Sequence, residues 1–297
     1  MIVVTSATGR TGRRATEALL AKGEKVRVIG RDAKKLAPLV ARGAEPFVGN
    51  VGDAASMTEA FSGAAAVYLV LPEDVTQQDL RAHQERVSDS YAAAVTNARV
   101  RFVVDLSSIG AQHPQNTGPI VGLHNQEQKL NRIASLNVLH LRAAYFMENL
   151  FMSIAPLRST GTLPGGLRAD TAMPWIATKD IGEYAASRLA GRDFSDSSTQ
   201  ELHGQRDIAM QEAASIVGNA IGKPNLAYLH VPSVTLGQAI VEMGLPKKTA
   251  ELLIEMWEGA NAGLIVPQEA RSAKNTTPTT LESFVSEVFA PAYLQTA

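Results

Sequence analysis

Short apolar runs alternate with amphipathic segments along the first half of the chain. The runs predict strands at residues 2–5, 25–31, 45–48, 65–71, 101–106 and 137–141. The segments between them carry apolar side chains at the spacing of helices. The run at 65–71 is apolar throughout, which is typical of a strand buried on both faces of a parallel sheet. This alternation predicts an α/β fold with a doubly wound parallel sheet and right-handed crossovers.

The second half of the chain has a less regular pattern. It predicts helices at residues 146–157, 180–190, 211–221, 233–243 and 246–258, and short strands at 201–203 and 226–231. Thr279-Thr280-Leu281-Glu282 fits a capping box that opens a final helix. That helix is predicted to turn four side chains inward: Leu281, Phe284, Val285 and Val288. No repeat, low-complexity segment or clear linker interrupts the sequence.

Polar residues and turns mark the carboxyl ends of the predicted strands. Ligands of a doubly wound sheet bind in the crevice outside these ends. Five features fall there: the turn after Thr5, and the residues Arg31, Asn50, Leu71 and Ser107. Loops at this edge commonly carry polar residues, so one such position is weak evidence of a ligand site. The occurrence of all five at the same edge is stronger evidence. We therefore expect a ligand site along this edge.

The turn after the first strand has the sequence Ser6-Ala7-Thr8-Gly9-Arg10-Thr11-Gly12. N–H groups at the start of the following helix would attract the pyrophosphate of a dinucleotide. Gly9 lets the backbone approach a phosphate, and Gly12 lets the helix pack closely on the strand. Ser6 replaces the first glycine of the GxxGxxG spacing, and a serine avoids strain there only if its φ is negative. The alternative is an ordinary strand-to-helix turn.

Arg31 ends the second predicted strand, at the position that meets the adenosine ribose of a dinucleotide. An acidic residue there binds the 2′-hydroxyl of NAD, whereas an arginine pairs with the 2′-phosphate of NADP. Arg31 therefore favours NADP(H) over NAD(H), with Arg10 and Lys35 as further candidates. Asp32 is predicted to cap the next helix. The alternative for Arg31 is a solvated surface arginine.

Other residues of the same edge complete the predicted cofactor site. Asn50 and Val51 follow the third strand, where the adenine lies in this architecture, and Asp53 is predicted to be a helix N-cap. Tyr145 and Phe146 flank either the nicotinamide or an aromatic substrate, or are plain core. The predicted cofactor contacts are Ser6, Thr8, Gly9, Arg10, Thr11, Gly12, Arg31, Asn50, Val51, Leu71, Pro72, Ser107, Tyr145 and Phe146.

Composition narrows the classes of partner. The 28 lysines and arginines nearly balance the 29 aspartates and glutamates, which argues against a nucleic-acid partner. The sequence has no cysteine, so disulfides and thiolate metal sites are excluded, and its six histidines show no metal-ligand spacing. It has no leader pattern and no apolar run of about 18 residues. We expect a cytoplasmic protein with no membrane or metal partner.

Two groups of residues carry candidate chemistry near the predicted nicotinamide position. Glu127 lies on the sheet-facing side of its predicted helix, where a lone carboxylate would be costly, so Arg142 is its expected partner in a structural buried pair; the alternative is a catalytic acid. His124, at the start of the same helix, is the candidate catalytic proton donor, because histidine titrates near neutral pH. The alternative is a packing or solvent-facing histidine.

A tyrosine four residues before a lysine is the usual proton relay of dehydrogenases with this sheet. None of the six tyrosines of this sequence has a lysine at that position, and Tyr184 with Arg188 comes nearest. Hydride transfer itself needs no protein nucleophile, because the cofactor carries that chemistry. An ordinary carbonyl or alcohol dehydrogenase is therefore not expected.

The sequence resembles the NmrA-like family of atypical short-chain dehydrogenase/reductases. The resemblance rests on residues 6–12, 123–130 (LHNQEQKL), 141–149 (LRAAYFMEN) and 176–182 (IATKDIG) and covers essentially the whole chain. Ala143 departs from it, since the family usually has proline there. The resemblance implies a Rossmann domain that binds NADP at residues 1–150 and a smaller α+β substrate-binding portion at 151–297, with some exchange of chain between the two.

The resemblance leaves two functions open. The first is an NADPH-dependent oxidoreductase that transfers hydride to a quinone-like or dye-like aromatic acceptor without a Tyr/Lys relay. The second is a non-catalytic, NADP(H)-binding redox-sensing regulator of the NmrA type. A biosynthetic reductase or epimerase is a weaker third. The expected partner is a small aromatic molecule, with a homodimer as one option for the assembly.

Overall fold

Twelve strands and a similar number of helices build the molecule, and the computed structural model describes residues 1–295. The strands are β1 (Ile2–Val4), β2 (Val26–Gly30), β3 (Glu45–Val48), β4 (Ala66–Val70), β5 (Phe102–Ser108), β6 (Asn137–Ala143), β7 (Tyr145–Phe146), β8 (Leu163–Gly165), β9 (Ala172–Ile176), β10 (Ser197–Leu202), β11 (Asp207–Ala209) and β12 (Tyr228–His230). The α-helices are α1 (Arg10–Ala21), α2 (Ala33–Val40), α3 (Ala54–Phe61), α4 (Leu80–Asn97), α5 (Ile120–Asn131), α6 (Ile154–Thr160), α7 (Thr178–Gly191), α8 (Met210–Ala220), α9 (Ser233–Glu242), α10 (Lys247–Asn261), α11 (Leu281–Phe284) and α12 (Ala290–Gln295). A 3₁₀ helix spans Met147–Ser153, and a π-helical turn spans Val285–Phe289.

Seven strands form one parallel sheet in the order β10-β6-β5-β4-β1-β2-β3. The chain runs outward from β1 to β2 and β3, then crosses back to β4 on the other side of β1. The predicted doubly wound parallel sheet is therefore confirmed. The crevice outside the carboxyl ends of β1 and β4 is the switch point where such sheets bind ligands.

Helices cover both faces of this sheet, because alternate strand residues face opposite layers. Ile2 and Val4 belong to the core under α1, α2 and α7, whereas Val3 belongs to the core under α3, α4 and α5. On the first face α1 and α7 lie very close, since a Cβ at Gly182 would be 2.5 Å from the Cβ of Arg14. The sheet thus lies between two packed layers of helices.

A third core lies in the C-terminal part, around α6, α8 and the final helices. Two small sheets accompany it, one of β11, β9 and β7 and one of β12 and β8. Trp175 at its centre is buried, and its indole N–H donates to the carbonyl of Ile208 at 3.0 Å. The smaller α+β portion is therefore present beside the large sheet.

The C-terminal half differs from prediction in three places. The strand predicted at 201–203 begins at Ser197 and joins the large sheet beside β6. The chain therefore returns to the large sheet well after residue 150. The helix predicted at 146–157 is β7, the 3₁₀ helix and α6 instead. The final helix is capped by Thr280, whose hydroxyl accepts from Ser283 N, rather than by Thr279, and Val288 is 44% exposed.

Candidate functional site

The turn between β1 and α1 is tied to the end of β4. The Thr5 hydroxyl donates to the carbonyl of Tyr68 at 3.0 Å and accepts from the N–H of Val70 at 2.9 Å. The Ser6 hydroxyl donates to the carbonyl of Val70 at 3.3 Å. These bonds hold the turn directly over the crevice between the two strands.

Ser6 does not meet the condition under which a serine avoids strain in this turn. Its φ is +48°, in the left-handed region, which costs about 1–2 kcal/mol for a residue with a Cβ. The Ser6 carbonyl accepts from Gly9 N at 2.8 Å and closes the turn. A Cβ at Gly12 would lie 2.4 Å from that carbonyl oxygen, so glycine at this position lets the helix lie close to the turn.

The N-terminus of α1 is open to solvent and fits the pyrophosphate of a dinucleotide. Gly9 stands at the N-cap without a side chain to shield the first N–H groups of the helix, and Thr8, Gly9 and Arg10 are exposed. Those N–H groups have no partner within the helix and carry its positive dipole end. The Arg10 guanidinium lies 5.8 Å from the centre of the Phe151 ring, beside the same opening.

Arg31 follows β2 at the same edge and is 76% exposed. Asp32 caps α2 as predicted, because its carboxylate accepts from Lys34 N at 2.8 Å. Arg31 therefore presents its positive charge to solvent where the sequence predicts the 2′-phosphate, while the neighbouring acid is engaged by the helix. Lys35 is exposed on that helix.

Asn50 and Val51 lie in the turn after β3. The Asn50 side-chain oxygen accepts from Gly52 N at 3.0 Å, which shapes the turn, and the residue is otherwise exposed. Asp53 caps α3 through Ala55 N at 2.9 Å, as predicted. The predicted adenine contacts thus reach solvent at the same edge as Arg31.

After β4, Leu71 is buried and Pro72 half-buried at the lip of the crevice. Glu73 follows them and is exposed to solvent, although the neighbouring protein removes part of the water around its carboxyl. This desolvation raises the pKa of the Glu73 carboxyl, and the positive charge of Arg10 opposes the rise. Sequence reasoning missed Glu73 and its neighbour Asp74, although both directly follow the predicted cleft residues.

Ser107, at the end of β5, is committed to a buried ion pair. Its hydroxyl donates to the Glu127 carboxylate at 2.5 Å, and Arg142 donates to the same carboxylate at 3.0 and 2.6 Å. Hydrogen bonding to Glu127 raises the pKa of the Arg142 guanidinium. The predicted pair of Glu127 and Arg142 is confirmed. Ser107 remains a predicted cofactor contact, while the neighbouring Ser108 is half-buried.

His124 is half-buried near the start of α5. Its Nδ1 lies 2.8 Å from the carbonyl oxygen of Ala111, which can only accept, so Nδ1 carries the proton. In the neutral ring Nε2 is then an acceptor, and it becomes a donor only in the imidazolium form. The ring is thus oriented by the loop that precedes α5.

Tyr145 and Phe146 form the short strand β7, directly after β6, and both are half-buried. The Tyr145 ring meets the Trp175 ring edge to face, with centres 4.7 Å apart. Burial raises the pKa of the Tyr145 phenol to about 12, so it stays protonated at neutral pH. These aromatic groups lie where the large sheet meets the C-terminal part.

Two classes of feature are absent from residues 1–295. No helix in that range is both long and apolar enough to cross a membrane. No group of three or more histidine and carboxylate side chains in it is arranged to hold a metal ion.

The sequence is similar to those of several known proteins. A sequence model of the NmrA-like family matches residues 1–285. NAD(P)H azoreductase of Xenophilus azovorans is 25% identical over 261 residues, which are 86% of this chain and 86% of that protein. Quinone oxidoreductase 2 of Escherichia coli (strain K12) is 26% identical over 296 residues, which are 97% of this chain and 99% of that protein.

The fold is also that of a solved structure. The crystal structure of the NADPH-dependent quinone oxidoreductase of Escherichia coli complexed with NADPH has a TM-score of 0.80 at 23% identity, and the match covers 97% of this chain and 100% of that one. The family match extends from the first residue through β1, the glycine turn and the sheet to the end of α11. The chain belongs to the NmrA-like family.

Proposed function

We propose that this protein is an NADPH-dependent oxidoreductase that transfers hydride to a quinone-like or dye-like aromatic acceptor. The observation that carries the proposal is the exposed N-terminus of α1, free of side chains at Gly9 and Gly12, beside an exposed arginine at the end of β2. Relatives named as an azoreductase and a quinone oxidoreductase support the same class of reaction.

The preference for NADPH rests on Arg31. A guanidinium forms paired, charge-assisted hydrogen bonds with phosphate oxygens, whereas the 2′-hydroxyl of NADH is served by an acid. The acid nearest in sequence, Asp32, is occupied in capping α2. NADPH therefore gains an interaction with Arg31 that NADH lacks.

The reaction is proposed to run without a Tyr/Lys relay. The bound dihydronicotinamide supplies the hydride, and the protein binds, orients and shields the reactants. Tyr145 and Phe146 offer aromatic surface to a flat acceptor beside the end of β6. His124 is the proposed proton donor, acting from Nε2 of the imidazolium while Ala111 holds Nδ1.

The test is oxidation of NADPH by the purified protein with a panel of quinones, azo dyes and triphenylmethane dyes, followed by the loss of NADPH absorbance. We expect turnover with at least one acceptor and tighter binding of NADPH than of NADH. Binding of NADPH without oxidation by any acceptor would overturn the proposal. A much tighter binding of one redox state of the cofactor would then favour the redox-sensing regulator.

The role of His124 has its own test in the same assay. His124→Asn keeps a side-chain N–H for Ala111 but cannot deliver a proton. We expect kcat to fall about 100-fold, the lower range for general acid catalysis, with NADPH affinity unchanged. An unchanged kcat would assign His124 to packing and leave the proton to solvent.

A further inference from the structure

The loop that follows β4 sets an acidic residue against the arginine of the cofactor site. Asp74 Oδ2 lies 3.7 Å from Nη1 of Arg31. The preceding residue, Glu73, interacts electrostatically with Arg10 at the start of α1. Two consecutive carboxylates thus face the two arginines at the proposed phosphate positions. Neither carboxylate is needed to build the sheet.

Asp74 is held in place by its own loop. The Thr76 hydroxyl donates to Oδ1 at 2.6 Å, and the Gln77 side-chain amide donates to Oδ2 at 3.0 Å. These bonds, together with Thr76 N and the charge of Arg31, keep the pKa of Asp74 below its usual range. The carboxylate is therefore ionised at neutral pH and fixed independently of Arg31.

The other end of the loop is anchored to α10. Lys248 binds the Asp79 carboxylate at 2.6 Å, and the Thr249 hydroxyl donates to the carbonyl of Gln77 at 3.3 Å. Arg31, by contrast, is 76% exposed. An exposed guanidinium has more room to reorient than the anchored carboxylate, so we expect the carboxylate to hold its place when Arg31 binds another anion.

We propose that Asp74 competes with the 2′-phosphate for Arg31 and so limits the preference of this protein for NADPH over NADH. A phosphate bound to Arg31 must displace the carboxylate from the guanidinium or share the guanidinium with it. NADH makes no demand on Arg31 and is indifferent to Asp74. This inference rests on the proposed function, and it assigns a specificity-determining role to a residue outside the glycine turn.

The histidine that α4 places beside this pair does not cancel the effect. His83 faces Asp74 and Arg31, and its Nδ1 accepts from Arg86 Nη2 at 3.0 Å. Burial and the charge of Arg86 lower the pKa of His83, so this imidazole is neutral at pH 7. Asp74 therefore keeps a full negative charge beside Arg31.

The test compares dissociation constants for NADPH and NADH by fluorescence titration of Asp74→Asn. We expect NADPH to bind about two- to fivefold more tightly than to wild type, the range of an exposed ion pair, with NADH unchanged. Asp74→Ala is the second variant, because it removes the carboxylate without placing an amide NH2 group, which can only donate, opposite the Thr76 or Gln77 donor. Asp32→Asn is the matched control, because it removes a charge next to Arg31 while asparagine still caps α2.

A double-mutant cycle makes the test specific. In an Arg31→Ala background, Asp74→Asn should leave the ratio of the two affinities unchanged, because the contested guanidinium is gone. The inference is overturned if either Asp74 variant weakens NADPH binding or leaves it unchanged. It is also overturned if Asp32→Asn gives the same gain, or if the gain persists without Arg31. If neither the wild type nor any variant binds NADPH, the proposed function is overturned, and this inference with it.

Discussion

Removing Arg142 should destabilise the protein far more than removing Arg142 together with Glu127. Glu127 is 2% exposed and accepts two hydrogen bonds from Arg142 and one from Ser107. The pair joins β5, α5 and β6 at the edge that carries the proposed site. Substituting the two residues therefore tests whether they hold the site together or take part in the reaction.

The magnitude follows from the burial of the carboxylate. In Arg142→Met the ionised Glu127 keeps only the Ser107 hydroxyl, and an uncompensated buried charge costs about 3–5 kcal/mol. In Glu127→Leu the arginine is 15% exposed and turns toward water, so we expect a smaller cost, about 1–3 kcal/mol. Replacing both by apolar residues of similar volume should cost about 0–2 kcal/mol.

The assay is urea-induced unfolding of the wild type, both single variants and the double variant, followed by far-ultraviolet circular dichroism. Lys129→Met is a matched control on the same helix, because Lys129 pairs with Glu85 and Asp89 at the surface and should contribute at most about 1 kcal/mol. Free energies of unfolding near 5–15 kcal/mol leave a 3 kcal/mol change easy to resolve.

Two results would refute this reasoning. A cost below about 1 kcal/mol for Arg142→Met would show that water reaches the carboxylate. Costs of the single variants that simply add in the double variant would show that the two groups do not interact. A stable Arg142→Met protein that binds NADPH but turns over no acceptor would instead favour a catalytic role for the pair.

Three further substitutions test the site and its surroundings. Arg31→Ala should weaken NADPH by about 1.5–3 kcal/mol and leave NADH unchanged in parallel titrations, and equal losses would deny Arg31 its role. Gly12→Ala should cost about 1–3 kcal/mol in urea unfolding and weaken both cofactors, since its Cβ meets a carbonyl oxygen at 2.4 Å; normal binding would contradict the close packing. In Gly118→Ala, with φ +57°, the new Cβ would lie 2.1 Å from Leu252 O, whereas in Gly23→Ala it would meet no atom within 4 Å. Gly118→Ala should therefore lower Tm more than Gly23→Ala, and equal shifts would show that α10 moves aside.

Local sequence signals predicted the parallel sheet and two of the helix N-caps well. Asp32 and Asp53 cap helices through N–H groups two or three residues away, so the signal and its effect lie in one short segment. The strand pattern is similarly direct, because strands buried on both faces are largely apolar. The strand-end residues follow from that pattern and the geometry of parallel sheets.

Non-local contacts explain what the sequence did not reveal. Four of the six residues of β10 are Ser, Ser, Thr and Gln, which show no buried strand pattern, and only pairing with β6 makes them a strand. Thr279 misses the cap because its hydroxyl and N–H bind Asp180 on α7 instead. Asp74 gains its role only from facing Arg31 across the crevice.

The glycine turn is one linked constraint, and this explains how serine replaces its first glycine. The left-handed backbone of Ser6 aims its carbonyl at Gly9 N, and the same carbonyl fills the space where a Cβ of Gly12 would lie. A side chain at Gly12 meets backbone and has no room, whereas a side chain at Ser6 costs about 1–2 kcal/mol and recovers part of it by bonding to Val70. The three positions of the motif are therefore unequal: steric exclusion fixes the last glycine, while the first can be exchanged for a residue that ties the turn to β4.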